Sequence, residues 1–374
     1  MFFIVSFLLA GCWDSNDPER MLYIQGIGID YKDGKFYMYV QIVDFTNIAK
    51  SEQPNPEAPQ VEVGLGIGNT VNEAIWDLYH MFNQRLMWGH LTYIILSEQL
   101  LDEGMLMPAI DRFIHYRETR YTTWVYATDN SLEDLLLSTP INNKAVTLSK
   151  VADPMNSYEQ ESFVEPINFR KLLLRLDEPS HEVAIPFVVL NEEWKTKDGE
   201  DAILEILGAG IVTNDSYKGK LLKKDIEGLQ WMSNDTRRGQ LTIDVESAHL
   251  PYMHVVVDDV HHKVRSTVKD GQFQFDISVD LHVTASVEDP VDNTEELKKE
   301  IAQKMKEDIL KTYRLGLEKN SDIYRLSEHA YRRNVKQWKR LNEGGKIPLT
   351  EQSIRKITIN VVKIKEERIS LQQR

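Results

Sequence analysis

After Asp270-Gly271 the chain enters a strict alternation: Phe273, Phe275, Ile277, Val279, Leu281 and Val283 interleave with Gln274, Asp276, Ser278, Asp280, His282 and Thr284. A period of two places every apolar side chain on one face, which a helix cannot do. The segment is therefore a long strand with one buried face. Asp-Gly supplies the positive φ angles of a type I′ turn, so the strand needs an antiparallel partner, expected over His254 to Val268. The same Lys-Asp-Gly signal stands at Lys32-Asp33-Gly34 and Lys197-Asp198-Gly199. The first of these pairs Leu22–Tyr31 with Lys35–Val43. The turns recur while the sequence around them does not repeat.

Between the first two hairpins, helices mix with strands. Thr70-Val71-Asn72-Glu73 is a capping box, expected to open a helix that carries Ile75, Leu78 and Phe82. A strand follows at Leu91–Leu96, Ser97 caps a short helix ended by Gly104, and another helix covers Met107–His115. A strand at Tyr121–Ala127 and a helix from Ser131 to Leu137 complete the region. Pro54, Pro56 and Pro59 make 51–60 a loop or linker.

Charge divides the chain. From Glu295 onward there are 20 Lys and Arg against 12 Asp and Glu, an excess of eight, which leaves −22 for residues 1–294 of a chain whose net charge is −14. Such an acidic body argues against nucleic acid as a partner. Leu297, Ile301, Met305 and Ile309 mark one helix face, and Ile323, Leu326, Ala330, Val335, Trp338 and Leu341 a second helical stretch. Ile357, Ile359 and Val361 then alternate as a closing strand. The fold class is α+β and multi-domain, with antiparallel hairpins, mixed sheets and helices packed on their faces. Residues 12–198 and 199–374 are read as the N-terminal and C-terminal regions. Residues 61–182 are open to reading as an insertion, with the first hairpin and Ala184–Trp194 sharing one sheet.

Phe2 to Ala10 is apolar and stops at Gly11-Cys12. About ten helical residues span about 15 Å, half of a bilayer's hydrocarbon. The length and small terminal residues fit a secretion signal over 1–11. No Lys or Arg precedes Phe2, so the natural leader is expected to begin upstream of Met1. Leu9-Ala10-Gly11-Cys12 resembles the bacterial lipoprotein box, in which the thiol, Cys12, takes an S-diacylglycerol and the new N-terminus an N-acyl chain such as palmitate. Two or more acyl chains anchor stably where one does not. No later stretch reaches 18 uninterrupted apolar residues.

No motif for chemistry emerges. Gly64-Leu65-Gly66-Ile67-Gly68 has neither dinucleotide nor Walker spacing and is expected to be a strand end turning into a helix. Gly26-Ile27-Gly28 is expected to mark a close backbone approach or a bulge. His261 and His262 should point to opposite strand faces. His-Glu-x-x-His, Gly-x-Ser-x-Gly and paired cysteines are absent from the sequence, so no metal, cofactor or catalytic residue is expected. Arg332, Arg333, Lys336, Lys339 and Arg340 lie on an amphipathic stretch with Trp338, either as a docking face for anionic lipid or an acidic partner, or as a solvated face.

Cys12-Trp13-Asp14, Gly26-Ile27-Gly28-Ile29-Asp30, Gly89-His90 and Arg117-Glu118, with Tyr324, His329-Ala330-Tyr331-Arg332-Arg333 and Trp338, resemble in order the Ger(x)C family of spore-germination lipoproteins. The resemblance implies the C subunit of a nutrient germinant receptor, lipid-anchored through Cys12 on the outer face of the spore inner membrane. It implies two integral membrane partners, an A-type and a permease-like B-type subunit, a role in receptor signalling, and no catalysis. Candidate subunit contacts are Trp88 and His90 in one region and Arg332, Arg333, Lys336 and Trp338 in the other. The alternative is a solute-binding lipoprotein of a transporter, against which the hairpins argue.

Overall fold

The computed structural model describes residues 21–43, 61–197, 199–244, 252–287 and 294–368. Residues 1–11, expected to be a signal, Cys12, residues 51–60, expected to be a loop, and Asp198 lie outside the described residues. Strands β1 (Met21–Lys32) and β2 (Lys35–Val43) form the expected first hairpin, with Lys32 opposite Lys35 and positive φ at Asp33 and Gly34. β3 (Val61–Gly68) pairs β2 and leads into α1 (Val71–Met81). The capping box is shifted by one residue. Thr70 Oγ1 accepts the Glu73 N–H at 3.2 Å, but the Glu73 carboxylate accepts the backbone N–H of Asn69, at 2.8 Å, instead of that of Thr70.

The chain continues through β4 (Arg85–Met87), β5 (Tyr93–Ser97), α2 (Glu98–Asp102), α3 (Leu106–His115), β6 (Trp124–Thr128) and α4 (Leu132–Leu137). Ser97 and Ser131 cap α2 and α4, and Gly104, at φ +68°, ends α2. α5 (Pro154–Gln160) and α6 (Phe169–Asp177) precede β7 (Val183–Asn191), the short ladder β8 (Lys195–Thr196) with β9 (Gly199–Glu200), and β10 (Ile203–Val212) with β11 (Tyr217–Leu222).

Nine strands make one mixed sheet, in the order β11-β10-β7-β6-β5-β1-β2-β3, with β4 against the start of β1. Its core strands β1, β5, β6 and β7 are parallel. β3, β5 and β6 lie in the same sheet as the first hairpin and β7, so 61–182 contributes strands to that sheet, and β10 and β11 extend it past residue 198. Helices cover both faces: α1, α2, α3 and α6 bury one, while α4 packs Leu132, Leu135 and Leu136 on Tyr93, Ile95 and Tyr126 of the other.

The glycines of this sheet sit where neighbours press on the backbone. A Cβ on Gly66 would overlap the carbonyl oxygen of Ala74, so α1 could not lie so close to β3. Gly26 has the Tyr93 ring against it and follows a bulge at the Ile24/Gly26 step, so close approach and bulge both occur.

After α7 (Gly228–Trp231) the second unit is a four-stranded sheet, β12 (Gly239–Asp244), β13 (Tyr252–Lys269), β14 (Gln272–Val287) and β15 (Ile354–Arg368). β13 and β14 are the hairpin expected around Asp270-Gly271, with Lys269 opposite Gln272. β15 joins β14 in parallel after a crossover through α8 (Thr294–Glu318), α9 (Leu326–Arg333) and α10 (Val335–Leu341). Leu297, Ile301, Met305 and Ile309 of α8 are all buried against the apolar face of this sheet. The helical stretch over 323–341 is divided into two helices. Asn334 ends α9 and its side chain caps α10 by accepting from Gln337 N. Ala209, Ile211 and Leu221 of β10 and β11 pack in this second core, while Val212 and Leu222 pack in the first, so those strands belong to both units.

Candidate functional site: the seam between the two units

Residues 178–182, which lead from α6 into β7, meet 320–328 and 342–347 of the second unit. Four of the eight non-glycine residues with positive φ among those described lie here: Ser180, His181, Asn320 and Arg325. Such backbone costs on the order of 1–3 kcal/mol per residue and persists only where the surroundings impose it. Gly345 allows the approach, since its φ is +84° and a Cβ there would strike the His181 ring, and its carbonyl accepts Ser180 N–H at 3.1 Å. His181 Nδ1–H donates to Leu176 O at 2.8 Å, which fixes that ring's tautomer.

The centre of the seam is Glu182, 3% exposed. Its Oε2 accepts from Ser321 Oγ at 2.7 Å and Asp322 N at 2.6 Å, and its Oε1 accepts from Lys346 Nζ at 3.1 Å. Lys346 also donates to Asn320 O at 3.0 Å. Asp322, 1% exposed, accepts the N–H groups of Leu326 and Ser327 at 2.7 Å each and so starts α9. Burial raises the Asp322 carboxyl above its ordinary range, against the lowering effect of those two N–H groups.

Arg325 crosses back to the first unit. Its Nη1 donates to Arg175 O at 3.0 Å and to Glu182 O, and its Nε to Glu328 Oε2 at 2.8 Å. Its Nη2 lies 3.5 Å from Glu178 Oε2. Arg332 joins the network at 2.8 Å from Glu178 and 2.6 Å from Glu328. On the other side of Arg175, Glu165 is bound by Arg175 Nη2 at 2.9 Å and by Lys171 Nζ, which also reaches Asp235 at 3.3 Å. Burial alone would raise Glu165, but the two cations outweigh it and hold the carboxyl down at about 2. A cavity of about 100 Å³ lies between these groups, lined by Glu165, Arg175, Glu182, Gln230, Asp322 and Arg325.

This arrangement ties the two units together through buried hydrogen bonds and ion pairs. Its carboxylates are saturated by cations and N–H donors, so none is placed as a free base beside a nucleophile. Among the described residues no group of three or more His, Cys, Asp and Glu could hold a metal ion. No helix among them is long and apolar enough to cross a membrane.

The residues expected at a partner surface fall out unevenly. Trp88 is 3% exposed, its Nε1–H donates to Tyr79 Oη at 3.1 Å, and its ring packs on Phe113 and Tyr116, so it is a core residue and not a contact. His90 is exposed and stands edge-on to Tyr23 at 5.0 Å. Arg332, Arg333 and Lys336 are all exposed, and Arg332 in addition pairs with Glu178 and Glu328 at the seam. Trp338 is half-buried against Tyr331. His262 faces His329 of α9 while His261 lies on the opposite side near Asp259, as strand alternation requires. The seam carboxylates Glu182 and Asp322 were not legible, being 140 positions apart in sequence. The one local signal is an Asp just before a helical stretch.

Two family models cover the chain: a spore germination protein N-terminal domain matches residues 14–190, and a spore germination B3/GerAC like C-terminal domain matches 207–363. Spore germination protein KC of Bacillus subtilis (strain 168) is 24% identical over 375 residues, 90% of this chain and 87% of that protein. Spore germination protein A3 of the same strain is 23% identical, covering 74% of this chain and 70% of that one. The crystal structure of the GerBC protein superposes with a TM-score of 0.55 over 95% of this chain and 100% of that one, at 17% identity, a likeness of fold.

Proposed function

The chain belongs to the spore germination protein family whose N-terminal and GerAC-like C-terminal domains span it, and from that premise we propose that it is the lipid-anchored C subunit of a spore nutrient germinant receptor. In this reading residues 1–11 are removed, Cys12 carries the lipid, and the two-unit body lies on the outer face of the spore inner membrane beside an A-type and a permease-like subunit. Its work is assembly and signalling, without catalysis. The observation that carries the reading is the family match across both units. The seam supports it, because a body that relays contact between membrane subunits gains from direct polar contacts between its halves.

Subunit contacts are assigned to exposed members of the basic helices, Arg333 and Lys336, and to His90. Arg332 is unsuitable for testing this, since reversing it would break the seam as well. The test is tagged co-purification from detergent-solubilised spore membranes, comparing the natural protein with Cys12→Ala. Recovery of two multispan subunits, reduced by Cys12→Ala, is expected. A lone lipoprotein, or transporter components in their place, would overturn the reading.

A further inference from the structure

We propose that the part of the nine-stranded sheet's end at which β1, β4, β5 and β6 begin, beside the start of β7 that the second unit covers, is a docking surface for an anionic phospholipid bilayer. The proposal rests on the anchored reading above for the source of the membrane, but its geometry is independent. Met21 pairs Arg85, Gly26 pairs Tyr93, and Tyr93 pairs Trp124, all in parallel. β1, β4, β5 and β6 therefore start at one end, and the connections 82–84, 88–92 and 116–123 gather there.

Cys12 precedes Met21 by nine residues. At about 3.3–3.6 Å per fully extended residue, a lipid on Cys12 cannot lie more than ~30 Å from this end. The surface it would hold against the bilayer has the chemistry of a headgroup contact. Met81, at 58% exposure, and Tyr121, at 54%, project from it. Arg117 and Arg120 are exposed on the loop before β6, and Arg170 is exposed beside them, its N–H bonded to Tyr121 O at 3.0 Å.

The acid of that loop, Glu118, is half-buried and turns Oε2 into a cleft with Tyr79, Phe82, Arg85 and Tyr116, so the two arginines are the more exposed charges of the loop. Glu62, exposed at the start of β3, is the acid of the outer edge strand at this end. Within a region of net charge −22, Arg117, Arg120 and Arg170 thus stand exposed together at this end, while the tether residues 13–20 carry Asp14, Asp17 and Glu19 against Arg20. Separate apolar side chains set among arginines suit headgroups better than a protein partner, which would favour a contiguous apolar face. Each arginine near an anionic surface strengthens partition by about fivefold.

The test uses the chain from residue 12 onward with Cys12→Ser, which leaves every described residue in place. It is sedimented with vesicles of phosphatidylglycerol and phosphatidylcholine in equal parts, and with pure phosphatidylcholine. Partition onto the anionic vesicles that weakens with salt, and falls roughly 25-fold in Arg117→Gln/Arg120→Gln, is expected. Lys339→Gln/Arg340→Gln, on the exposed side of α10, should leave it unchanged. In the same cysteine-free background, a polarity-sensitive dye on Tyr121→Cys should shift to the blue on anionic vesicles, and one on Tyr252→Cys should not.

Absence of binding, equal loss in both double variants, or equal dye shifts would overturn the proposal. So would loss of subunit co-purification in Arg117→Gln/Arg120→Gln with vesicle partition unchanged, which would assign the surface to a protein. The anchored reading is scored separately by Cys12→Ala in spores, so specific partition without a lipid on Cys12 sinks the anchor alone. A lipidated chain whose body ignores the vesicles sinks this proposal alone.

Discussion

The two sheets of this protein solve burial in opposite ways. In the first, helices cover both faces, and its central strand β5, Tyr93-Ile94-Ile95-Leu96-Ser97, is buried at every position. In the second, α8 covers one face and the other meets solvent, so β14 alternates between buried and half-exposed residues along its length. Parallel strands under two helical layers lose the alternation that marks a strand, whereas an antiparallel hairpin with one wet face keeps it. The first sheet also relies on glycines where helix or ring meets backbone. Between the two lies a seam whose cohesion is polar.

The sharpest break of this comparison is Glu182→Ala. It leaves Lys346, Ser321 Oγ–H and Asp322 N–H without their buried acceptor, and a loss of about 3–5 kcal/mol is expected in urea unfolding. A loss below about 1 kcal/mol would mean the seam does not hold the units together. Next, Gly66→Ala should cost about 3 kcal/mol, since α1 must move off β3 to admit one methyl group. A neutral result would show that the first sheet is as forgiving as the second.

The third prediction concerns pH. Burial, with a smaller push from His329, lowers His262 to about 4 from an ordinary 6.5. Between those values the unfolded chain binds the proton and the folded one does not. Stability is therefore complete above pH 6.5 and declines as pH falls toward 4. His329 is lowered too, first by burial, so it also contributes stability that is lost as pH falls below its ordinary value. Because the His262 ring is only partly buried, a loss of about 1–2 kcal/mol between pH 7 and about pH 5 is expected. His262→Leu should flatten that slope in urea titrations at both pH values, and an unchanged slope would refute the assignment. Smallest of all, Ser278→Val on the wet face of β14 should move the urea midpoint by no more than about 0.5 kcal/mol, whereas a loss above 1 would mean that face is covered.

What could be read beforehand follows from the same contrast. Asp33-Gly34 and Asp270-Gly271 specify their turns through backbone preference, and Thr70, Ser97 and Ser131 their helix starts through side-chain caps. These causes act within four residues, so they are legible in order along the chain. Trp88, taken for a surface contact, is buried because Phe113 and Tyr116 from α3 and its end close over it. Arg332, read as a docking charge, is exposed and also pairs with Glu178 of the other unit, a contact that the sequence did not show. The helical stretch over 323–341 was legible, but not its division at Asn334, where a side chain that caps α10 competes with helix continuation.

The sequence by itself determined the second unit's hairpin, the helix caps, the α+β class, the acidic body with its basic C-terminal end, and the family resemblance. Only the tertiary structure decided that 61–182 is woven into one sheet, that β10 and β11 serve two cores, and that Glu182 meets Asp322 across 140 positions. Local preferences are set by each residue and its near neighbours. Pairing between distant strands and carboxylates depends on which apolar faces bury each other, and that choice is made only when the whole chain packs.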